Sequence, residues 1–244
     1  MIGLVLVSHS AKLAEGLAEL VAQMEPEVPL AWAGGTDDGE LGTSLELVLA
    51  AIDDADQGDG AVVLFDLGSA EMTAESALEF LDDDQRDRLR VVDAPLVEGA
   101  IAAAGIAGGD ATLDDVVAAA QGAVTATAAH DGDGHEPDGE DVELDQSIEL
   151  ELTNRSGLHA RPAGQISRAM RPLDATVRIE RADTGDSGDS VNASSTLRLV
   201  SLGAPAGTRI VVRAGGPDAS AAIAAIQDLV ERNFDEPPDD DTAD

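Results

Sequence analysis

Two of the four histidines in this chain of 244 residues share one local setting. His9 follows the apolar run Ile2–Val7, and His159 lies within Gly157-Leu158-His159-Ala160-Arg161-Pro162-Ala163. Each comes after a strand-like segment and immediately before a helix-like one. Free backbone N–H groups and the helix dipole favour negative charge at a helix start. An imidazole placed there can bind an anion or carry a phosphoryl group. Two such sites in one chain predict a relay that hands a charged group from one histidine to the other.

The residues around each histidine fit that chemistry. Asp66 closes the strand-like run Gly60–Asp66. A carboxylate at the same sheet edge as His9 would hold one ring nitrogen, fix the tautomer and leave the other nitrogen as nucleophile. Gly68 and Ser69 follow at a helix start, where backbone N–H groups can cradle a phosphoryl group. Ser10 is a helix cap and a further candidate phosphate ligand. At the second site Arg161 can neutralise a phosphate, Ala160 offers an amide, and Pro162 is tolerated in a first helical turn.

These residues need elements to position them. Residues 1–125 alternate as a parallel α/β unit. Strands are expected at Ile2–Val7, Val28–Ala33, Gly60–Asp66 and Leu89–Asp93. Helices are expected at Ala11–Met24, Thr43–Asp54 and Ala70–Leu81, and from Val97 to Val124 with a break at Gly108-Gly109. The strands are continuous apolar runs, as strands buried on both faces must be. From Ser147 the order changes to β-α-β-β-α-β-α. The strands are Ser147–Leu152, Ala175–Arg181, Ser190–Asn192 and Thr208–Ala214, with a polar turn at Asp183–Asp189. The helices are Pro162–Met170, Ser195–Leu202 and Ala219–Phe234. That order predicts a small antiparallel sheet with helices on one face.

Residues 126–145 are rich in Asp, Gly and Ala and read as a flexible acidic linker, and residues 235–244 as an acidic tail. His130 and His135 lie in the linker and read as solvated.

Composition limits the partners. The formal charge is −35, with one lysine, Lys12. Residues 1–125 hold 25 acidic and 4 basic side chains, the linker 8 acidic and none basic, and residues 146–234 hold 10 of each. Nucleic acid and anionic membranes are repelled by such a chain. Acidity spread over folded segments resembles the surface of a halophilic protein, where salt screens the repulsion. No run approaches the roughly 20 apolar residues of a membrane span, and Met1 leads straight into a core strand rather than a signal peptide. The absence of cysteine excludes disulfides and thiolate metal sites. A cytoplasmic protein with no cofactor and no metal is expected.

Val5-Leu6-Val7-Ser8-His9-Ser10, Ala33-Gly34-Gly35-Thr36-Asp37-Asp38 with Gly42-Thr43, Asp66-Leu67-Gly68-Ser69-Ala70 and Ala94-Pro95-Leu96-Val97-Glu98-Gly99-Ala100 resemble the mannose-type IIA domain of the phosphotransferase system. The likeness is closest to the version found in phosphoryl-donor subunits of phosphoenolpyruvate-dependent dihydroxyacetone kinase. The resemblance implies phosphorylation of His9 on Nε2, Asp66 on its Nδ1, and a homodimer through this domain. Gly157–Ala163 resembles the active-site signature of HPr, the phosphocarrier of the same system, and implies an open-faced β-sandwich with His159 as phosphoryl acceptor. Ser195 matches the regulatory serine of some HPr proteins, and also suits a plain helix cap.

The family further implies partners: an Enzyme I that charges His159, and the ADP-binding and dihydroxyacetone-binding subunits that His9 serves. Many members carry a third segment resembling Enzyme I, and its absence here implies that Enzyme I is a separate chain. Two alternatives keep the histidines but change the recipient. One is a IIA–HPr component feeding a sugar permease, the other a regulator acting on a transcription factor.

Overall fold

The computed structural model describes residues 1–108, 111–128, 143–183 and 190–236, which fall into two compact units, Met1–Gly134 and His135–Asp244. His130, His135 and most of the segments read as linker, polar turn and acidic tail lie outside the described residues.

The first unit is a doubly wound α/β fold. Strands β1 (Gly3–Ser8), β2 (Leu30–Gly34), β3 (Ala61–Phe65) and β4 (Leu89–Val92) form a parallel sheet in the order β2-β1-β3-β4. Helix α1 (Ala11–Met24) starts at Ser10, whose hydroxyl accepts from the Leu13 amide, and it buries Ala14, Leu17, Ala18, Val21 and Met24. That spacing is one face of a 3.6-residue repeat. Helices α2 (Leu45–Ala55), α3 (Gly68–Leu78), the short α4 (Asp83–Asp87), α5 (Leu96–Ala107) and α6 (Leu113–Ala128) complete the unit.

Alternation along the strands builds a core on each face. Leu4, Leu6, Val62 and Leu64 pack with α1, α5 and α6. Val5, Val7, Val63 and Phe65 pack with Val48 and Ile52 of α2 and Ala70, Ala74 and Ala77 of α3. A side chain period of two explains why the runs are apolar throughout.

The second unit is an antiparallel sheet in the order β5-β8-β6-β7: β5 (Gln146–Glu151), β8 (Arg209–Gly215), β6 (Thr176–Arg181) and β7 (Val191–Asn192). Helices α7 (Ala160–Met170), α8 (Thr196–Ser201) and α9 (Ala219–Glu231) supply Ile166, Leu199 and Ile226 to one core with Ile179, Ile210 and Val212. The other face carries Glu149, Arg209, Glu180 and Arg213, paired as Arg209–Glu149 and Arg213–Glu180. One face apolar and one charged gives an open-faced sandwich.

Differences from the sequence reading are one additional short helix and the ends of elements. Helix α4 was not anticipated, because its five polar residues bury none of their side chains. Helix α6 runs to Ala128, into the segment read as linker, while α9 stops at Glu231 rather than Phe234. Beyond α9 the chain turns back on itself through a 3-10 turn at Asn233–Asp235, so Asp235 and Glu236 are part of the folded unit.

Candidate functional site

His9 stands just past the carboxyl end of β1. The strand order reverses there, since β2 lies on one side of β1 and β3 on the other. Crevices at such switch points are where open α/β sheets hold ligands. The β1–β3 register pairs Val7 with Phe65, so the next residues along, Ser8 and Asp66, are neighbours.

Asp66 is an acceptor from three donors. Its Oδ1 lies 2.8 Å from His9 Nδ1, and its Oδ2 accepts from the His9 amide at 2.9 Å and from the Ser8 hydroxyl at 2.8 Å. Burial raises the Asp66 carboxyl, but the hydrogen bonds from the His9 amide, the His9 ring and Ser8 together outweigh it and hold the group below the usual carboxylate range. An ionised carboxylate only accepts, so His9 must carry its proton on Nδ1. The lone pair then sits on Nε2, 2.6 Å from the Ser69 hydroxyl, which donates to it. His9 is thereby oriented as a nucleophile through Nε2.

The surroundings of Nε2 suit an incoming anion. Ser69 and Gly68 open α3, and their amides have no acceptor within the helix. A Cβ at Gly68 would meet nothing within 4 Å, so the space beside it is open. Ser10 is more committed: its amide donates to the Ser8 hydroxyl at 3.0 Å and its hydroxyl caps α1, leaving its hydroxyl proton to offer.

His159 is the N-cap residue of α7, and no amide of the first turn bonds its ring. Gly157 makes the approach. It has φ of +68°, and a Cβ there would lie 2.3 Å from the Ala204 carbonyl oxygen. The Leu158 amide donates to the same oxygen at 2.8 Å and its side chain is buried, which anchors the loop beneath His159. The amides of Ala160 and Arg161 have no intrahelical acceptor, and Pro162 has no N–H to satisfy.

The His159 ring is held from the other side. Its Nε2 lies 3.1 Å from Oε1 of Glu236, which also accepts from Asn154 Nδ2 at 3.0 Å. Oε2 of Glu236 accepts from the Arg155 amide at 3.0 Å. Burial raises the Glu236 carboxyl, but hydrogen bonds from Asn154, the His159 ring and the Arg155 amide hold it below the usual range. The proton of the neutral ring therefore sits on Nε2, and Nδ1 carries the lone pair. Arg161 reaches away to the Asp235 carbonyl, which accepts from Nη2 at 3.0 Å.

The structure brings His9 together with Asp66, Ser69 and, at one residue's remove, Gly68 and Ser10. It brings His159 together with the Ala160–Arg161 helix start. Ser195 belongs to neither cluster: it caps α8, its hydroxyl accepting from the Arg198 amide at 3.4 Å. Three contributors escaped the sequence reading. Ser8 is fully buried and ties Asp66 to the Ser10 amide. Glu236 holds the His159 ring, and Asn154 holds both Glu236 and the Gly157 carbonyl. For Ser8 a signal existed in its place immediately before His9. For Glu236 there was none, because an acid among tail acids is distinguished only by where the chain folds.

Among the described residues no three His, Asp or Glu side chains gather to hold a metal ion, and no helix is long and apolar enough to cross a membrane.

Comparisons with known proteins match two separate stretches of the chain. The family described as "PTS system fructose IIA component" matches residues 3–121, and "PTS HPr component phosphorylation site" matches residues 146–232. The subunit "PEP-dependent dihydroxyacetone kinase, phosphoryl donor subunit DhaM" of Providencia stuartii is 34% identical over 96% of this chain and 50% of its own length. The "PEP-dependent dihydroxyacetone kinase 2, phosphoryl donor subunit DhaM" of Listeria innocua is 43% identical over 43% of this chain and 84% of its own. "Phosphocarrier protein NPr" of Escherichia coli is 37% identical over 36% of this chain and 92% of its own. The chain spans about half the length of the longer relatives that it matches from end to end.

Proposed function

We propose, on the premise that this chain belongs to the DhaM family of phosphoryl-donor subunits of PEP-dependent dihydroxyacetone kinase, that it is a two-station phosphohistidine relay. One observation carries the reading. The two imidazoles are held by carboxylates on opposite nitrogens, His9 on Nδ1 and His159 on Nε2, so their lone pairs are presented from Nε2 and Nδ1.

In the first step Nδ1 of His159 attacks a phosphoryl group on an Enzyme I-type donor charged by phosphoenolpyruvate. The donor's P–N bond breaks as P–Nδ1 forms, and the Nε2 proton stays against Glu236. In the second step Nε2 of His9 attacks that phosphorus. The P–Nδ1 bond breaks, and His159 leaves as a neutral imidazole because Nε2 is already protonated. The phosphoryl group is met by the Ser69 hydroxyl and the free amides of Gly68 and Ser69, while the Asp66 carboxylate balances the positive charge that develops on the His9 ring. In the third step a terminal oxygen of ADP, bound in a partner subunit, takes the phosphoryl group from Nε2. The ATP so formed phosphorylates dihydroxyacetone. The proposal includes a cytoplasmic location and a homodimer through the first unit, which sedimentation of the purified chain would test.

The relay is tested with labelled phosphoenolpyruvate, Enzyme I and the dihydroxyacetone kinase subunits. His159→Ala should abolish labelling of both histidines. His9→Ala should leave His159 labelled and stop dihydroxyacetone phosphorylation. Label reaching His9 in the His159→Ala protein without added HPr would overturn the order, and no product with the kinase subunits would redirect the reading to a permease or a regulator.

A further inference from the structure

Helix α3 carries the cradle for whatever arrives at His9 Nε2, yet its start is thinly held. Helices α1 and α2 are capped by the hydroxyls of Ser10 and Ser44, whereas the N-cap residue of α3 is Leu67, an exposed side chain with no oxygen to offer an amide. The residues that α3 buries are three alanines, Ala70, Ala74 and Ala77. So small an apolar face grips the sheet weakly. The Ser69 hydroxyl, 2.6 Å from Nε2, is therefore placed by something other than a cap or a large apolar contact.

Side-chain hydroxyls supply that anchor. Thr73, one turn along α3, donates its hydroxyl proton to the Ser69 carbonyl at 3.0 Å. A hydroxyl has a single proton to give. In its 2.8 Å contact with Thr43 Oγ1, Thr73 must then accept, and Thr43 donates. The bonds run in one direction, from Thr43 to Thr73 to the carbonyl of Ser69.

Thr43 is fixed in turn by residues 35–44, which join β2 to α2 and lie against the end of β1. The Gly35 amide donates to the Ser8 carbonyl at 3.1 Å, and the Gly42 amide donates to the His9 carbonyl at 2.9 Å. Gly42 has φ of +150°, and a Cβ there would come within 2.7 Å of Thr36 Cγ2, so the close approach needs glycine. Thr36 closes the loop on Glu40: its amide donates to the Glu40 carbonyl at 2.9 Å, and its hydroxyl accepts from the Glu40 amide at 3.1 Å. Two consecutive residues, Gly42 and Thr43, thus tie the backbone of His9 to the helix of the cradle.

We propose that Thr43 and Thr73 are positioning residues for the reaction at His9. They hold the start of α3, and with it the Ser69 hydroxyl and the Gly68 and Ser69 amides, at the separation from Nε2 that a transferring phosphoryl group requires. The inference rests on the reading of His9 as a phosphohistidine. In the resting site Ser69 donates to the Nε2 lone pair. Once phosphorus takes that lone pair, the hydroxyl must turn to a phosphoryl oxygen while the two amides keep their places. Such constellations work within about 0.5 Å, and a misplacement of about 1 Å costs on the order of 10²-fold in rate. Both threonines act through Ser69 rather than on the ring itself.

The test separates hydroxyl from shape in the full-length chain. With phosphoenolpyruvate and Enzyme I, phosphopeptide mass spectrometry follows label from His159 to His9, and nitrogen NMR follows the His9 ring. Thr43→Val keeps the branched shape and loses the hydroxyl. Transfer onto His9 should slow by ~10-fold or more, the scale seen when a partner that orients a ligating group is removed. The Nε2 resonance should move as its bond to Ser69 loosens, while His159 labels at the native rate. Thr43→Ser keeps the hydroxyl and should restore both rate and resonance. Thr73→Val should slow transfer by a similar factor, and it carries the test if Thr43→Val does not fold. The double valine variant should be no slower than Thr73→Val, because one chain of bonds carries the effect. Transfer within about threefold of native in the folded valine variants, with an unmoved Nε2 resonance, overturns the proposal. So does a Thr43→Ser protein as slow as Thr43→Val, or a double variant in which the two losses multiply. Failure of the native chain to label His9 at all would instead overturn the relay on which the inference rests.

Discussion

Asp66→Asn is the sharpest perturbation of the His9 site, because it changes a proton's address and almost no volume. In the native site Oδ2 takes two donors, the Ser8 hydroxyl and the His9 amide, and Oδ1 takes one, the His9 ring. Asparagine has a single acceptor oxygen, which keeps most bonds by standing in the place of Oδ2. Its N–H₂ then faces His9 Nδ1. The ring answers by accepting there and moving its own proton to Nε2, where the Ser69 hydroxyl turns round to accept it. The lone pair that must attack phosphorus is gone. Restoring the reactive tautomer means setting N–H against N–H and leaving both donors unpaired, a cost of about 3 kcal/mol in this partly buried setting. At 1.36 kcal/mol per decade the transfer onto His9 should slow by roughly 10²-fold. The assay is phosphopeptide mass spectrometry of the full chain mixed with phosphoenolpyruvate and Enzyme I, in which His159 labels normally and serves as the internal control. Nitrogen NMR of the His9 ring should show the proton on Nε2. A transfer rate within about threefold of the native one, or a ring still protonated on Nδ1, would refute the tautomer reasoning.

Other outcomes follow from the same contacts. Ser8→Ala removes a buried hydroxyl that donates to Asp66 at 2.8 Å and accepts from the Ser10 amide at 3.0 Å; stability should fall by about 2 kcal/mol in urea unfolding, and a native midpoint would show the bond to be dispensable. Gly157→Ala forces a Cβ to 2.3 Å from a carbonyl oxygen at a φ of +68°; the second unit should lose about 3 kcal/mol or more, or fail to fold, by circular dichroism. Asp66 and Glu236 are both depressed in the folded state, so each stabilises fully above its ordinary value of 3.8 or 4.5 and loses that contribution as pH falls through the lower native value. Urea unfolding from about pH 6 to about pH 3 should show stability falling steadily, with a shallower fall in Asp66→Asn and Glu236→Gln.

What the sequence made legible, and what it hid, divides along one physical line. The four parallel strands stood out because both faces of each are buried, which leaves continuous apolar runs at β1 and β3 that little else produces. His9 and Asp66 were legible as a pair because parallel strands in register bring their carboxyl ends to one edge, whatever the distance in sequence between them. His159 was legible because the glycine, proline and arginine around it each answer a separate demand of a helix start. All of these are local demands or consequences of regular pairing. Helix α4 escaped because burying nothing leaves no periodicity to read. Ser8 could be seen only as the residue before a histidine, since its importance lies in a burial that the strand imposes. Glu236 stood furthest from reach. Nothing in Phe234-Asp235-Glu236 distinguishes it from the acids that follow, and the conformation that sets it against His159 runs against the ordinary preference of each residue in the turn. The buried Phe234 ring and the donors Thr153, Arg161 and Gln165 hold that turn in place, and they meet only after the unit has folded. A carboxylate that controls a tautomer from 77 positions away is a property of tertiary structure. The same is true of Asp66 at 57 positions, except that a regular sheet makes its approach predictable and an irregular strap does not.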